Sequence, residues 1–167
     1  MKKTLKTIIA AIMTVVMLVP TAMAANETTP QWEDVFMSEA EANAILADST
    51  IYTNTDERAS NLISAYAIVV SKVDSTTLRI TAKTTGTTEV VKCGFKEIVV
   101  QRRANSSSSW TDYATYEDIY IEQVAYTIGK SVTVQPGYQY RATCVHYAKK
   151  NIFSVQKIDN VSNTVTF

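Results

Sequence analysis

One histidine and two cysteines in 167 residues leave little with which to hold a metal. A structural zinc site draws four closely spaced ligands from Cys, His and carboxylates, and here there is no CxxC and His146 stands alone. No GxSxG elbow is present either, so the strained turn that exposes a hydrolase serine is missing. Long apolar runs are also scarce. The longest, Ile8 to Val19, is broken by Thr14 and stops at Pro20; at about a dozen residues it falls short of the ~20 that a spanning helix needs. No cysteine follows it for lipid attachment, and the chain closes on Asn163 to Phe167 with neither an apolar tail nor a sorting motif. These absences lead us to expect no cofactor, no metal and no stable membrane anchor.

What is present at the start points to export. Lys2, Lys3 and Lys6 form a positive n-region, Ile8 to Val19 an apolar h-region, and Ala22, Met23 and Ala24 a small-residue cleavage site. Residues 1–24 are therefore expected to be a signal peptide, and the protein to be secreted and extracellular, with a mature form beginning near Ala25. Its length suits one domain able to bury about two-thirds of the surface its unfolded chain would expose.

Charge is neutral overall but unevenly placed. Residues 25–57 carry eight acids and no Lys or Arg, whereas from Arg58 onward 13 basic residues face eight acidic ones. An acidic lead thus precedes a basic domain. The lead either folds back on the basic surface or trails as a solvated tether, and the domain suits anionic polymers such as wall or host glycans. Nucleic acid is not expected as a partner, because the compartment is extracytoplasmic and a net +5 over about 110 residues is sparse.

Cys93 and Cys144 lie where export permits a disulfide. A bridge would close a loop of about 50 residues, worth about 3 to 4 kcal/mol in the chain-entropy view. Against it, Cys144 shares a strand face with Tyr140 and Ala142, while Cys93 sits just before Gly94 at a strand entrance; bridge and free thiols both stay open.

Ser38 to Asp48 is the one helical stretch, opened by a capping box between Ser38 and Glu41 and filled with alanine. Ala25 to Gln31 reads as disordered and Thr50 to Ser60 as linker, so 25–61 forms the lead and 62–167 the folded domain. From Leu62 the composition turns to Thr, Val, Ile and Tyr in short runs between turn signals. Strands are expected over 65–73, 77–83, 95–103, 110–116, 119–128, 131–135, 138–147, 154–158 and 164–167. In 77–83, Leu78, Ile80 and Ala82 alternate with Arg79, Thr81 and Lys83. About seven principal strands over about 105 residues predict an all-β sandwich.

The segment Ser131 to Cys144, SVTVQPGYQYRATC, resembles the corner between strands E and F of fibronectin type III and immunoglobulin-like modules. There a tyrosine opens strand F and its hydroxyl bonds back to the corner backbone; Tyr140 matches best and Tyr138 is the rival. The chain lacks an immunoglobulin-type cysteine in its second strand, and Trp110 follows a hairpin instead of lying within the third. Arg58 to Ser60, Tyr66, Gly94-Phe95, Ser109-Trp110, Gly137 to Ala142 and Tyr147-Ala148 also look like small secreted proteins of unknown function from Gram-positive gut bacteria. That resemblance implies a bacterial, exported immunoglobulin-like sandwich and no particular activity.

Candidate chemistry is thin. His146 with Cys144 or a serine is the only nucleophile-and-base combination, on a strand face that reads as core. Glu97, Glu117, Asp118 and Glu122 lack diagnostic spacing for a glycosidase pair. No catalytic residue is assigned. Recognition is better supplied: Arg102, Arg103, Lys149 and Lys150 are paired basics near strand ends, and Trp110, Tyr113 and Tyr116 fall on or beside the serine-rich hairpin 104–109. The sequence therefore predicts a non-enzymatic interaction module for a surface glycan, an anionic wall polymer or a protein. The alternative is a secreted inhibitor or signalling protein acting through the serine-rich hairpin, and after it a small secreted hydrolase.

Overall fold

Alternation decides the architecture. Along Gln139–Asn151 every second side chain is buried, so that Tyr140, Ala142, Cys144, His146 and Ala148 point one way and Arg141, Thr143, Val145 and Tyr147 the other. A strand with one dry face needs a partner layer, and the computed structural model, which describes residues 30–47, 52–53 and 61–167, supplies it as a second antiparallel sheet.

In chain order the elements are β1 (Trp32–Asp34), α1 (Glu39–Ala47), β2 (Tyr52–Thr53), β3 (Ile63–Lys72), β4 (Thr77–Gly86), β5 (Lys92–Arg103), β6 (Thr111–Ile121), β7 (Ala125–Thr133), β8 (Gln139–Asn151), β9 (Ser154–Val161) and β10 (Val165–Thr166). One sheet has the order β1-β7-β4-β3-β2; the other runs β10-β8-β5-β6, with β9 also paired to β8. Ile68, Val70, Leu78, Ile80, Ile128 and Val132 from the first sheet meet Phe95, Ile98, Val100, Tyr140, Ala142 and Cys144 from the second. The all-β, two-sheet reading holds.

The chain passes from β7 to β8 through a corner pinned by Tyr140. Its fully buried hydroxyl accepts from the Gln135 N–H and donates to the Gln135 carbonyl, each at 3.0 Å. Both backbone groups are thereby satisfied where the chain leaves one sheet for the other.

Strand boundaries shift most around β6 and β7, while β3, β5, β8 and β9 differ from expectation at their ends. The expected strand 119–128 is divided: β6 continues to Ile121, and β7 starts at Ala125 and runs on through 131–133 of the expected 131–135. The physical reason is a break in alternation. Asp118 adopts φ 54°, so Tyr116 and Ile119, three residues apart, both pair with inward residues of β5, namely Ile98 and Phe95. A reader counting by twos meets a false boundary there. β5 also begins before the expected Phe95, taking Cys93 and Gly94 into the strand. Gly94, at φ 153°, permits a close approach: a Cβ there would lie 2.0 Å from the Ile119 carbonyl oxygen.

The acidic lead docks on the outer face of the first sheet. β1 extends that sheet beside β7, and Val35 N–H donates to Gly129 O at 3.0 Å. The capping box forms: Glu41 N–H donates to Ser38 Oγ (3.2 Å) and Ser38 N–H to Glu41 Oε2 (2.8 Å). Glu41 is held below its usual carboxylate value by the Ser38 backbone bond first and the hydroxyl second. Ala42 and Leu46, one turn apart, are buried. Thr81 is buried as well, so β4 is covered on the side that alternation had assigned to water. The expected signal peptide and most of the expected linker lie outside the described residues, although Tyr52–Thr53 forms β2 against β3. No helix among the described residues is long and apolar enough to cross a membrane.

Candidate interaction surface

The outer face of the second sheet carries a paired-arginine feature. Antiparallel register sets Gln101 of β5 opposite Arg141 of β8, and Arg103 opposite Gln139. Each glutamine fixes the arginine across from it: Arg141 Nε–H donates to Gln101 Oε1 (2.9 Å) and Arg103 Nε–H to Gln139 Oε1 (2.8 Å). Gln101 is itself held, donating through Nε2 to Asp112 of β6 at 2.9 Å. Both guanidinium groups lie 4.4 Å from the ring centroid of Trp110, which enters the sheet at the foot of the serine-rich hairpin. Such stacking suits guanidinium, which is planar and weakly hydrated.

Two like charges on one indole make an anion-seeking arrangement. Desolvation first, and the Arg103 charge second, hold Arg141 below the usual guanidinium value. Among the described residues neither arginine has a carboxylate partner. Arg103 gives one further bond, Nη1–H to Ser106 O at 3.2 Å, and among the described residues the terminal N–H groups of Arg141 make no further hydrogen bond. Forked donors of this type match carboxylate, phosphate and sulfate.

The other residues picked out by sequence do not join this patch. Arg102 points to the inner side, donating to Gln135 Oε1 at 2.7 Å and lying 4.9 and 5.0 Å from the Tyr113 and Tyr138 ring centroids. Tyr113 packs edge-on against Tyr140 and donates to Thr133 O at 3.0 Å; these groups close the end of the core. Tyr116 sits between Trp32 and Lys130 and accepts from Lys130 at 2.9 Å. Lys149 and Lys150 lie eight and nine residues beyond Arg141, about 26 Å along β8 at strand rise. Sequence reasoning missed Arg141, Gln101 and Gln139. The alternation of 138–147 sets Arg141 opposite Tyr140, but the pairing of β5 with β8 across about 40 residues carries no local signal.

Cys93 and Cys144 are free thiols, both buried. Cys144 belongs to a dry polar chain. Thr84 Oγ1 donates to Gly94 O (3.0 Å) and lies 2.8 Å from His146 Nδ1, while His146 Nε2 lies 3.1 Å from Cys144 Sγ and 3.5 Å from Asn160 Nδ2. With the threonine proton given to Gly94, Nδ1 carries the imidazole proton and Nε2 accepts. Burial pushes His146 down to about 3 and Cys93 up to about 11, and drives the Cys144 thiol upward too. A neutral base beside a protonated, enclosed thiol does not constitute an activated nucleophile. Glu97 and Glu117 are register partners across β5 and β6, and Asp118 is engaged by Lys96 (2.5 Å) and the Tyr120 hydroxyl (2.9 Å). Glu122 falls in the turn between β6 and β7. Among the described residues no group of three or more His, Cys, Asp or Glu side chains could hold a metal ion.

The lead covers a different basic pair. Lys130, its side chain only 8% exposed, is paired with Asp34, and Lys83 reaches Glu39 at 3.3 Å and Asn43 Oδ1 at 3.0 Å. Burial works against the Lys130 charge, but its bonds to Asp34 and Tyr116 outweigh that and raise it above the usual lysine value. The described part of the lead therefore masks Lys83 and Lys130, and among the described residues none of its acids pairs with Arg103 or Arg141. Compared with known proteins, the chain matches no family model, no curated protein and no solved structure.

Proposed function

We propose that this protein is a secreted, non-enzymatic interaction module that binds an anionic polymer, a wall polymer or acidic glycan, through the Arg103, Trp110 and Arg141 face. The observation that carries the reading is the pair of guanidinium groups, each 4.4 Å from one indole and fixed through Nε by a glutamine of the neighbouring strand. That geometry favours an anionic polymer over a neutral sugar. The indole stacks against the arginines, so what it offers outward is their charge, in place of a bare platform for a pyranose ring. Export rests on the leader pattern of residues 1–24.

In fold type the module is of the fibronectin type III or immunoglobulin-like kind. Support comes from the order β7-β4-β3 in one sheet and β9-β8-β5-β6 in the other, which follows strands E-B-A and G-F-C-C′. The Tyr140 bond to the corner backbone supports it further. The test is retention of the protein, begun at Ala25, on immobilised polyglycerol phosphate and on a polyuronate. Binding that weakens with added salt and drops at least tenfold in Arg103→Ala with Arg141→Ala is expected. Equal retention on a neutral glucan, or retention untouched by the double substitution, would remove the proposed surface.

A further inference from the structure

At the end of β8 remote from the arginines, the hairpin into β9 projects two large apolar side chains into water: Ile152 is 74% and Phe153 91% exposed. This tip is ordered. Phe153 N–H donates to Asn151 Oδ1 at 2.9 Å, and Asn151 pairs with Ser154 across a two-residue turn. Turns are ordinarily polar, and neither residue packs on the core here. Val155 and Val91, 45% and 56% exposed, lie just behind; Val91 N–H donates to Lys149 O at 2.9 Å, which fixes it beside the hairpin.

A basic collar stands behind the tip. Register places Lys149 between Lys92 of β5 and Val155 of β9, and Lys157 opposite Tyr147 two pairs further back. Lys149 and Lys157 have no carboxylate partner among the described residues, whereas Lys150 is neutralised by Glu89 at 2.7 Å. From the tip to the Lys149 row is about two residues, and to the Lys157 row about four, or roughly 7 to 13 Å at strand rise. Apolar groups seated at the acyl boundary reach about 5–10 Å deep while basic side chains remain among the headgroups.

We propose that the β8–β9 hairpin is a membrane-docking element: Ile152 and Phe153 insert into the interface of an anionic phospholipid bilayer, and Lys92, Lys149 and Lys157 engage its headgroups. Charge complementarity selects anionic lipid, and the narrow protruding apolar tip favours insertion over the flat contact of a protein partner. This inference stands apart from the proposed polymer surface, which lies at the other end of β8.

Co-sedimentation with phosphatidylglycerol/phosphatidylcholine vesicles tests it, using the protein begun at Ala25, which retains every described strand of both sheets. Binding to these vesicles, at least tenfold weaker on pure phosphatidylcholine, is expected. Ile152→Ser with Phe153→Ser should reduce it at least tenfold, Lys149→Glu with Lys157→Glu should do likewise, and unchanged melting should show each variant folded. Phe153→Trp should give a fluorescence blue shift with anionic vesicles only. Failure of the unmodified protein to bind, or binding unaffected by the Ile152 and Phe153 substitutions, overturns the proposal. So does self-association through the tip without vesicle binding.

Discussion

The Tyr140 hydroxyl bonds both backbone groups of Gln135, five residues earlier, with no exposed surface of its own. This one side chain joins the two sheets at the corner, and burial raises its phenol pKa, which keeps it a donor. Tyr140→Phe leaves the ring in place and removes the partner of the part-buried Gln135 N–H and C=O. We expect a loss of about 1–3 kcal/mol in urea unfolding with an unchanged m-value.

Gly94→Ala should cost more than a typical exchange in a strand. The added Cβ would meet the Ile119 carbonyl, a backbone atom of the adjacent strand, and φ 153° is unfavourable for alanine. A destabilisation of at least about 1–3 kcal/mol is expected, with faster amide exchange concentrated in β6.

His146 gives the fold a pH dependence of known sign. Its folded value lies near 3, below the usual 6.5, so between these limits the unfolded chain binds the extra proton and stability falls as pH falls. The contribution is fully present above about 6.5 and declines by about 1.4 kcal/mol per pH unit through the window. Glu41, Asp74 and Asp118 are also depressed, but they start from 4.5 or 3.8, so the interval from pH 5 to 6.5 isolates the histidine. Denaturant unfolding across that interval should slope in the native protein and flatten in His146→Gln.

Asp34→Ala removes the carboxylate paired with the nearly buried Lys130 ammonium and leaves only the Tyr116 hydroxyl bond named above. A loss of about 1.5–3 kcal/mol is expected. Adding Lys130→Met should restore part of it, because the uncompensated charge is gone. Differential scanning calorimetry of the two variants checks the sign.

What sequence reveals here is local. Alternation found β4 and the inward face of β8, the Ser38 and Glu41 pattern found α1, and Pro136-Gly137 found the corner. What it hid depends on pairing. The phase slip at Asp118 is visible only against β5, and the burial of Thr81 only against the docked lead. The proposed surface shows the same limit. Arg102 and Arg103 are neighbours in sequence, yet they lie on opposite faces, and Arg103 finds its companion in Arg141, 38 positions away. Successive residues of a regular strand point to opposite faces, so the cross-strand pair is not a run of neighbours in the sequence.

The two arginines on Trp110 are the proposed anion-binding face. Its most direct test is an amide NMR titration of the protein begun at Ala25 with polyglycerol phosphate. We predict saturable shifts concentrated at Gln101 to Arg103, Trp110 to Asp112 and Gln139 to Arg141, abolished by Arg103→Ala with Arg141→Ala. Saturable shifts that spare these three strand segments, or no shifts at low salt, would contradict the account.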